Sequence, residues 1–221
     1  GVQASGGRIP EEIQEQLVDI QRLHAGKHSF VAVRKDGKAF VWGDFKMDED
    51  ISPSMAEDFR DIQAVASTGS AMALLRTDGR VLVLRATRAE DEDTKDLQEQ
   101  LEDVVKIQAT FGAFCALRKN GTVVTWGSTK RGGDSHGVQL QDIQDIASTN
   151  DAFAATRVDG TVVTWGDPRN GGNSFEVQEQ LRHIQQVKGS YAAFAALRED
   201  DVVITWGNPG GGGDIHMHDL E

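Results

Sequence analysis

A tryptophan–glycine pair recurs along this chain of 221 residues at an almost constant interval, and this repeat constrains the fold more than any other feature. The pair closes four similar segments, AFVWG, VVTWG, VVTWG and VITWG, at Trp42, Trp126, Trp165 and Trp206. A fifth, diverged copy reads VLVLR and has Leu84 in place of tryptophan. The copies follow one another every 39 to 42 residues, and self-similarity at such a period is typical of stacked modules such as propeller blades.

Each copy predicts three short strands. In the fourth copy they are DIQDIAST (142–149), AFAATRVDG (152–160) and TVVTWG (161–166), in which apolar residues alternate with polar ones and Val, Ile, Phe, Thr and Trp are frequent. Asp-Gly or Asn-Gly separates the second strand from the third, which predicts a two-residue hairpin turn with positive φ at both central residues. The turn glycines are Gly37, Gly79, Gly121 and Gly160. The fifth copy has Asp200-Asp201 instead, so we expect a looser or strained turn there.

The four tryptophans are predicted to form a packing layer between neighbouring blades. Truncating a buried ring of this size costs about 3–5 kcal/mol, so a large side chain at the same strand position is most simply a core residue. An aromatic cage for a ligand is the alternative, but it would require the rings to converge on one spot, whereas the repeat distributes them among the modules.

The connectors between modules combine glycine pairs with short helix-forming segments. Glu, Gln and Leu in EEIQEQL (11–17), DLQEQL (96–101) and EVQEQL (176–181) favour helical turns, which at this length must be held by packing. The acidic runs 48–50 and 90–93 are expected to be solvated loops. A calcium site is the alternative for them, but they lack the ligand spacing of a calcium-binding loop.

The stretch AGKHSFVAVRKDGKAFVWGD (25–44) resembles the repeat of the RCC1 superfamily of β-propellers, which has an A-x-G-x-x-H-S strand, a D-G turn and a W-G strand end. All five copies fit the hairpin and four fit the W-G end. His28-Ser29 occurs only in the first copy, and there are five copies where the family usually has seven. The short period is similar to the blades of the bacterial β-lactamase inhibitor propeller. The mixture of VVTWG, GGDS and VQEQL resembles long repeat arrays of dinoflagellate algae.

We therefore expect an all-β, RCC1-like β-propeller of five short three-stranded blades, arranged as a closed ring or an open arc. A closed ring is the economical arrangement, because closure removes exposed sheet edges. The chain is predicted to be one repeat domain over residues 1–221. The expected blades span residues 1–43, 44–85, 86–127, 128–166 and 167–207, followed by a closing tail at 208–221.

Charge excludes one class of function. Lys and Arg number 23 against 35 Asp and Glu, so the formal net charge is −12. Nucleic-acid binding needs a basic surface to neutralise phosphates, so cationic protein surfaces or divalent ions are better electrostatic matches. No run is apolar and long enough to cross a membrane, which still allows peripheral association with a membrane complex. No targeting segment is recognised. The first residue is glycine, so we expect a processed N-terminus, compatible with the thylakoid lumen or the cytoplasm.

Catalytic chemistry is not predicted, and neither is a cofactor. No nucleophile, base and acid recur together, and the glycine pairs lack the Lys-Ser/Thr of a phosphate-binding loop. His216 and His218, with Asp214, could hold a transition metal, but chain termini are commonly mobile, so we predict no metal site. Cys115 replaces an alanine of the sister copies and is expected to be a buried, inert thiol.

The expected function is a non-enzymatic protein–protein interaction module, a scaffold or peripheral accessory subunit of a larger assembly such as an algal plastid complex. Arg131 and Arg169, which the connectors STKRGG and DPRNGG place at equivalent positions, are candidate contacts for an acidic partner. The aromatic residues not needed for blade packing are Phe45, Phe59, Phe175 and Tyr191, of which Phe45 and Phe175 are candidate partner contacts. Two alternatives follow from the family resemblance. A regulator of a small GTPase would need an inserted wedge, which no copy contains; a propeller-type enzyme inhibitor would need exposed aromatic anchors.

Overall fold

The protein folds into five three-stranded antiparallel sheets, each containing the three strands of one copy in chain order. A computed structural model describes residues 8–26, 29–43, 59–85 and 93–214. Each sheet is one blade, which confirms the predicted strands. The strands are β1 (Ile20–Ala25), β2 (Ser29–Arg34) and β3 (Ala39–Gly43) in blade one; β4 (Ile62–Ser67), β5 (Ala71–Arg76) and β6 (Val81–Arg85) in blade two; β7 (Val104–Ala109), β8 (Ala113–Arg118) and β9 (Val123–Gly127) in blade three; β10 (Ile143–Ser148), β11 (Ala152–Arg157) and β12 (Val162–Gly166) in blade four; and β13 (Ile184–Gly189), β14 (Ala193–Arg198) and β15 (Val203–Gly207) in blade five.

The hairpins between second and third strands are present, but the predicted turn type was wrong. In blade one, the Gly37 N–H donates to the Arg34 carbonyl (3.0 Å) and the Arg34 N–H donates to the Lys38 carbonyl (2.9 Å). Gly37 has φ +87°, whereas Asp36 has no positive φ. This is a three-residue loop in which a turn is followed by a left-handed glycine that forms a bulge. Asp-Gly suits this turn as well as the two-residue turn, because both need glycine at the second position.

Blade five makes the same turn with an aspartate in the glycine position. Asp201 has φ +65°, and the two backbone hydrogen bonds persist, from Asp201 to Arg198 (3.0 Å) and from Arg198 to Val202 (2.9 Å). The turn is therefore not looser. It is strained, because a side chain disfavours the left-handed region.

The turn glycines also contact the following blade, which the sequence did not indicate. The Gly160 carbonyl accepts a hydrogen bond from the Ile184 N–H (2.9 Å), and a Cβ on Gly160 would lie 2.9 Å from the His183 Cα. The same backbone contact joins Gly79 to Val104 (2.8 Å). Glycine is needed here both for its positive φ and for close approach of two backbones.

The chain divides into two compact units, Gly1–Ile107 and Gln108–Glu221, with the division inside β7. One repeat domain over 1–221, as a closed ring or an open arc, stays a prediction. In the first unit, one apolar cluster joins blade one to blade two through Val31, Val33 and Ala39 on one side and Ile62, Met72 and Leu84 on the other. Met72 pairs with Leu84 across β5 and β6, so two aliphatic side chains take the place of the phenylalanine and tryptophan of the other blades.

In the second unit, two clusters repeat this arrangement. One face of blade three, with Ala113, Cys115 and Leu117, packs against Ile143, Ile146, Phe153 and Trp165 of blade four. The opposite face of blade four, with Ala152, Ala154 and Val162, packs against Ile184, Val187, Phe194 and Trp206 of blade five. Each blade therefore has a leading face of small residues from its second and third strands. The opposite, trailing face is larger and, in blades two, four and five, packs against the preceding blade.

The connectors contain the short helices. They are the α-helices α1 (Glu11–Gln14) and α2 (Asp93–Gln100), and 3-10 helices at Thr129–Arg131, Pro168–Asn170, Phe175–Gln180 and Pro209–Gly211. Two connector glutamines reach the third strand of the preceding blade. The side-chain amide of Gln98 donates to the Val81 carbonyl (2.8 Å), and that of Gln178 donates to the Val162 carbonyl (3.0 Å). Packing and these hydrogen bonds hold the short helical turns, as their length requires.

Candidate protein-interaction surface

The two ends of the blades in the second unit differ in chemistry. In an antiparallel blade, the loop between the first and second strands lies at the same end as the close of the third strand. We call this end the connector face, and define it by the loops 110–113, 149–152 and 190–193 and the connectors 128–136, 167–175 and 208–214. The opposite end, with the hairpin turns 118–122, 157–161 and 198–202, is the turn face.

The tryptophans do not form an open site. Each is buried and stacks on the phenylalanine paired with it on the second strand of its own blade, with ring centroids 5.0 to 5.5 Å apart. The indole N–H of Trp165 donates to the Gly132 carbonyl, and that of Trp206 donates to the Gly171 carbonyl, both at 3.0 Å. The pairs are Phe30–Trp42, Phe114–Trp126, Phe153–Trp165 and Phe194–Trp206. A packing role between blades stays the prediction for all four.

These contacts explain the glycine pairs of the connectors. Gly132 has φ +88°, and a Cβ there would lie 2.6 Å from the Phe153 ring; Gly171 is placed in the same way against Phe194. The connector that precedes Trp126 has no glycine pair, and residues 86–92 of it lie outside the described part of the chain. Among the described residues, the buried Trp126 indole N–H has no hydrogen-bond acceptor.

Hydrogen bonds fix the loops of the connector face. The Thr110 hydroxyl accepts from the Ala113 N–H (2.9 Å) and donates to the Arg131 carbonyl (3.0 Å), and Thr149 and Ser190 bind their own loops and connectors likewise. Neighbouring loops are joined as well. The Phe111 N–H donates to the Asn150 carbonyl (2.6 Å), and the Asn150 N–H donates to the Tyr191 carbonyl (2.9 Å). The three loops therefore form one hydrogen-bonded series.

Arg131 is held in place by its neighbours. Its guanidinium lies 4.4 Å from the centre of the Phe111 ring, and its Nε is 3.1 Å from Asp151 Oδ1. The other carboxylate oxygen of Asp151 accepts from the Asn170 side-chain amide (3.1 Å). The predicted equivalence of Arg131 and Arg169 was wrong by one residue. Arg131 and Asn170 each close a 3-10 helix before the glycine, and both contact Asp151.

Arg169 is exposed, and its guanidinium makes no ion pair among the described residues. Its structural counterpart in the preceding connector is Lys130, which is also exposed. Each of these side chains lies one residue before the position that contacts Asp151. The connector face therefore has two cations available to a partner and one, on Arg131, that is already positioned by a carboxylate and a ring.

The exposed aromatic residues of the second unit are on the connector face. Phe175 begins a 3-10 helix and is 83% exposed, Tyr191 is 77% exposed, and Phe111 is partly exposed. Phe175 borders a groove of about 440 Å³ that Pro168, Pro209 and Trp206 also line. Sequence reasoning named Phe175 and Tyr191 as spare aromatic residues, chose Phe175 as a contact and did not name Phe111. Phe59, the other residue named as spare, is buried in the apolar cluster of the first unit. The sequence did hold a signal for such residues. In the loops 110–113, 149–152 and 190–193 the residue after the recurring Thr or Ser differs between copies, and it is aromatic at Phe111 and Tyr191.

Other predicted residues have less to contribute. Phe45, His216 and His218 lie outside the described residues, while Asp214 is exposed at the end of the last described segment. Cys115 is buried, as predicted. Within residues 8–26, 29–43, 59–85 and 93–214, no three His, Cys, Asp or Glu side chains converge as metal ligands, and no helix is long and apolar enough to span a membrane.

The turn face has exposed carboxylates on its hairpins. Asp159, Glu199, Asp200 and Asp201 all lie on it and are exposed. Side-chain hydrogen bonds from Arg198 lower the pKa of Asp200 to about 2, and the Thr161 hydroxyl lowers the pKa of Asp159. Both carboxylates are therefore ionised at neutral pH. Within this unit both ends of the blades carry acidic and basic side chains, and the exposed aromatic residues distinguish the connector face.

These features define a repeat protein with an RCC1-like β-propeller fold, and solved structures share it. The chain is similar to the ectodomain of the Physcomitrella patens receptor kinase CR4, with 15% identity over 85% of this chain and 51% of that one and a TM-score of 0.56. It is similar to human WBSCR16, with 14% identity over 85% of this chain and 62% of that one and a TM-score of 0.58. Yeast RCC1 (Prp20), in its structure with Kap60, shows 18% identity over 90% of this chain and 59% of that one, with a TM-score of 0.55.

The chain thus spans about half to three fifths of the length of each of these proteins. No protein-family model matches the sequence, and no curated protein does. At 14–18% identity the likeness establishes the fold. It agrees with the prediction made from the W-G repeat and the hairpin pattern.

Proposed function

We propose that this chain is a non-enzymatic protein-interaction module that binds a partner protein through the connector face, as a peripheral subunit or scaffold of a larger assembly. One observation carries the proposal. The exposed Tyr191 and Phe175, and the Phe111–Arg131 pair, lie on a single face whose loops are joined by backbone hydrogen bonds. Aromatic residues and arginine dominate the energetics of protein interfaces.

The fixed loops favour binding at this face. Ordering a flexible side chain or loop on association costs free energy, and that cost is already met where Arg131 is held by Asp151 and Phe111. Lys130 and Arg169 add positive charge at the edge of the same face. The complementary partner is a protein surface that combines apolar groups with carboxylates, and its association should weaken as salt screens the charges.

The turn face is a poorer candidate for tight binding. Its exposed carboxylates are strongly hydrated, and burying them without paired cations costs free energy. Val158, at 71%, and Val202, at 41%, are the large exposed apolar residues of its hairpin turns in the second unit. Two aliphatic side chains on separate, charged hairpins do not form the apolar centre that a protein interface needs. Val158 therefore provides a matched control for the aromatic residues of the connector face.

Photo-crosslinking tests the proposal. A benzophenone amino acid is placed at Tyr191, at Phe175 or at Val158, and each variant is incubated with an extract of the source cells before irradiation and mass spectrometry. The expected result is one shared crosslinked protein from positions 191 and 175 and none of it from position 158. Equal crosslinking from all three positions, or a partner captured from position 158 alone, would contradict the proposal.

The size of the complex tests the second part of the proposal. Native fractionation of the source cells under mild detergent should place the chain with a large complex that contains the crosslinked protein. Migration near 24.0 kDa at every detergent concentration would contradict the role of a stably bound subunit. A plastid or thylakoid complex is the specific assembly that the algal resemblance suggests, and co-migration with photosynthetic proteins would support it.

Regulation of a small GTPase is a second candidate. It rests on the similarity to Prp20 of Saccharomyces cerevisiae, described with its binding properties to Gsp1p and histones, which covers 90% of this chain at 16% identity with a TM-score of 0.53. An exchange assay with fluorescent GDP on a panel of small GTPases tests it. Acceleration that Tyr191→Ala abolishes would support this role, and unchanged release rates would exclude it for the GTPases tested.

A further inference from the structure

Blade one exposes an apolar face, whereas the equivalent face is covered in the other four blades. Ile20 and Leu23, the core-facing residues of β1, are 37% and 64% exposed. The residue equivalent to Ile20 is buried in the other four blades, and the residue equivalent to Leu23 is buried in three of them and partly buried in blade two. The equivalent pairs are Ile62 and Val65, Val104 and Ile107, Ile143 and Ile146, and Ile184 and Val187.

The connector before β1 shows the same deficit. Leu17 is half-buried, as is its equivalent Leu140, whereas its equivalents Leu101 and Leu181 are fully buried. Gln14 occupies the position of Gln98 and Gln178 in the IQEQL segment. Those two glutamines donate to the first carbonyl of the third strand in the preceding blade. Among the described residues, the Gln14 side chain makes no hydrogen bond.

Blade five presents the complementary surface. Val203, at the start of β15, is 52% exposed, whereas its equivalents Ala39, Val81 and Val162 are fully buried and its equivalent Val123 is partly buried. Leu197, which pairs with Val203 across β14 and β15, is only half-buried. This leading face has the alternating small and branched residues that, in blade four, cover Ile184 and Val187. The carbonyl of Val203 corresponds to the carbonyls of Val81 and Val162 that accept from the glutamines.

We propose that the trailing face of blade one (Leu17, Ile20 and Leu23) and the leading face of blade five (Leu197 and Val203) are the two halves of one interface, and that its occupant is a second copy of this chain. Blade five of one copy would cover β1 of a second copy. The Gln14 amide of the second copy would donate to the Val203 carbonyl of the first. The contact continues the blade-to-blade packing inside each unit, in which residues of these types already pack together. Such a heterologous contact uses two different surfaces, so it can link more than two copies.

Analytical ultracentrifugation tests this proposal with two charged variants, Leu23→Glu and Val203→Glu. Both side chains are more than half exposed, so the isolated chain should keep its fold, which circular dichroism checks. The wild-type mass should rise with concentration above 24.0 kDa. Each variant alone should stay monomeric, because every contact needs one intact face of each kind.

A one-to-one mixture of the two variants gives the decisive result. The intact leading face of the Leu23→Glu chain can bind the intact trailing face of the Val203→Glu chain, so the mixture should form a dimer and stop there. Gln14→Ala should weaken wild-type association about fivefold, as expected for one hydrogen bond. The matched control Val158→Glu, on the turn face, should associate like the wild type.

Three outcomes would overturn the proposal. They are a wild-type chain that stays monomeric at all concentrations, association that survives both charged variants, and a mixture that remains monomeric while the wild type associates. Because neither variant lies on the connector face, crosslinking from Tyr191 and Phe175 should be unaffected. Failure of one proposal therefore leaves the other standing.

Discussion

Replacing Trp206 tests how much the blade core depends on its aromatic pairs. The ring stacks on Phe194 with centroids 5.3 Å apart and is almost fully buried. Trp206→Ala removes this packing, which costs about 3–5 kcal/mol, and it leaves the Gly171 carbonyl without its donor, which adds about 1 kcal/mol or more. We expect the free energy of unfolding to fall by about 4–6 kcal/mol. For a chain of this size that is a decrease in Tm of roughly 10–20 °C.

A pair of phenylalanine substitutions separates the two contributions. Trp206→Phe keeps a ring on Phe194 but loses the hydrogen bond to Gly171. Trp126→Phe makes the same change where the indole N–H has no acceptor among the described residues. Trp206→Phe should therefore cost about 1–2 kcal/mol more than Trp126→Phe.

Urea unfolding followed by circular dichroism measures both differences, with crosslinking from position 191 as the functional readout. Binding should be lost only where stability is lost. Equal costs of the two phenylalanine variants would refute the role of the hydrogen bond. A Trp206→Ala protein that keeps its Tm but loses its partner would refute the packing role and favour an aromatic binding site.

Two further predictions concern the hairpin turn of blade five. Asp201→Gly should raise the free energy of unfolding by about 0.5–1 kcal/mol, because Asp201 has φ +65° where the other blades have glycine. The control Asp200→Gly, at a residue without positive φ, should not stabilise the protein. Thermal unfolding compares the two variants, and equal Tm values would contradict the strain at Asp201. Arg198→Met should raise the pKa of Asp200 from about 2 toward its usual 3.8, as an NMR titration of the carboxyl carbon would show. Because folding lowers the pKa of Asp200, the Arg198–Asp200 pair stabilises the fold above about pH 4, and this contribution is lost as the pH falls toward 2. An unchanged titration of Asp200 in the variant would contradict the role of Arg198.

The repeat made the strands and hairpins predictable. Alternating apolar residues, an Asp-Gly dipeptide and a Trp-Gly end recur together, so each copy supports the same interpretation. The type of turn could not be read in the same way, because Asp-Gly suits both hairpin turns and the choice depends on the φ of Asp36, Asp78, Asn120 and Asp159. The second reason why these turns need glycine could not be read from the sequence either. It is the close approach of backbone from the following blade, which lies more than 20 residues along the chain.

The candidate site was less predictable than the fold. Phe175 and the basic connectors could be selected from residue type alone. Aligning STKRGG with DPRNGG at their glycine pairs already places Arg131 opposite Asn170, and both residues close a 3-10 helix before the glycine. Phe111 was not selected, because its contact with Arg131 joins a loop and a connector 20 residues apart. Phe45 lies outside the described residues, so its role as a contact stays a prediction.

The amino-acid sequence by itself determined the number of modules, the three strands of each and the identity of the residues in the blade cores. These features are local and periodic, so five imperfect copies specify them even where Leu84 replaces tryptophan. Tertiary structure alone decided which side chains remain exposed. The same apolar position is buried at Ile184 and exposed at Ile20, because burial depends on whether another blade lies against it, and a repeat gives both positions nearly the same sequence.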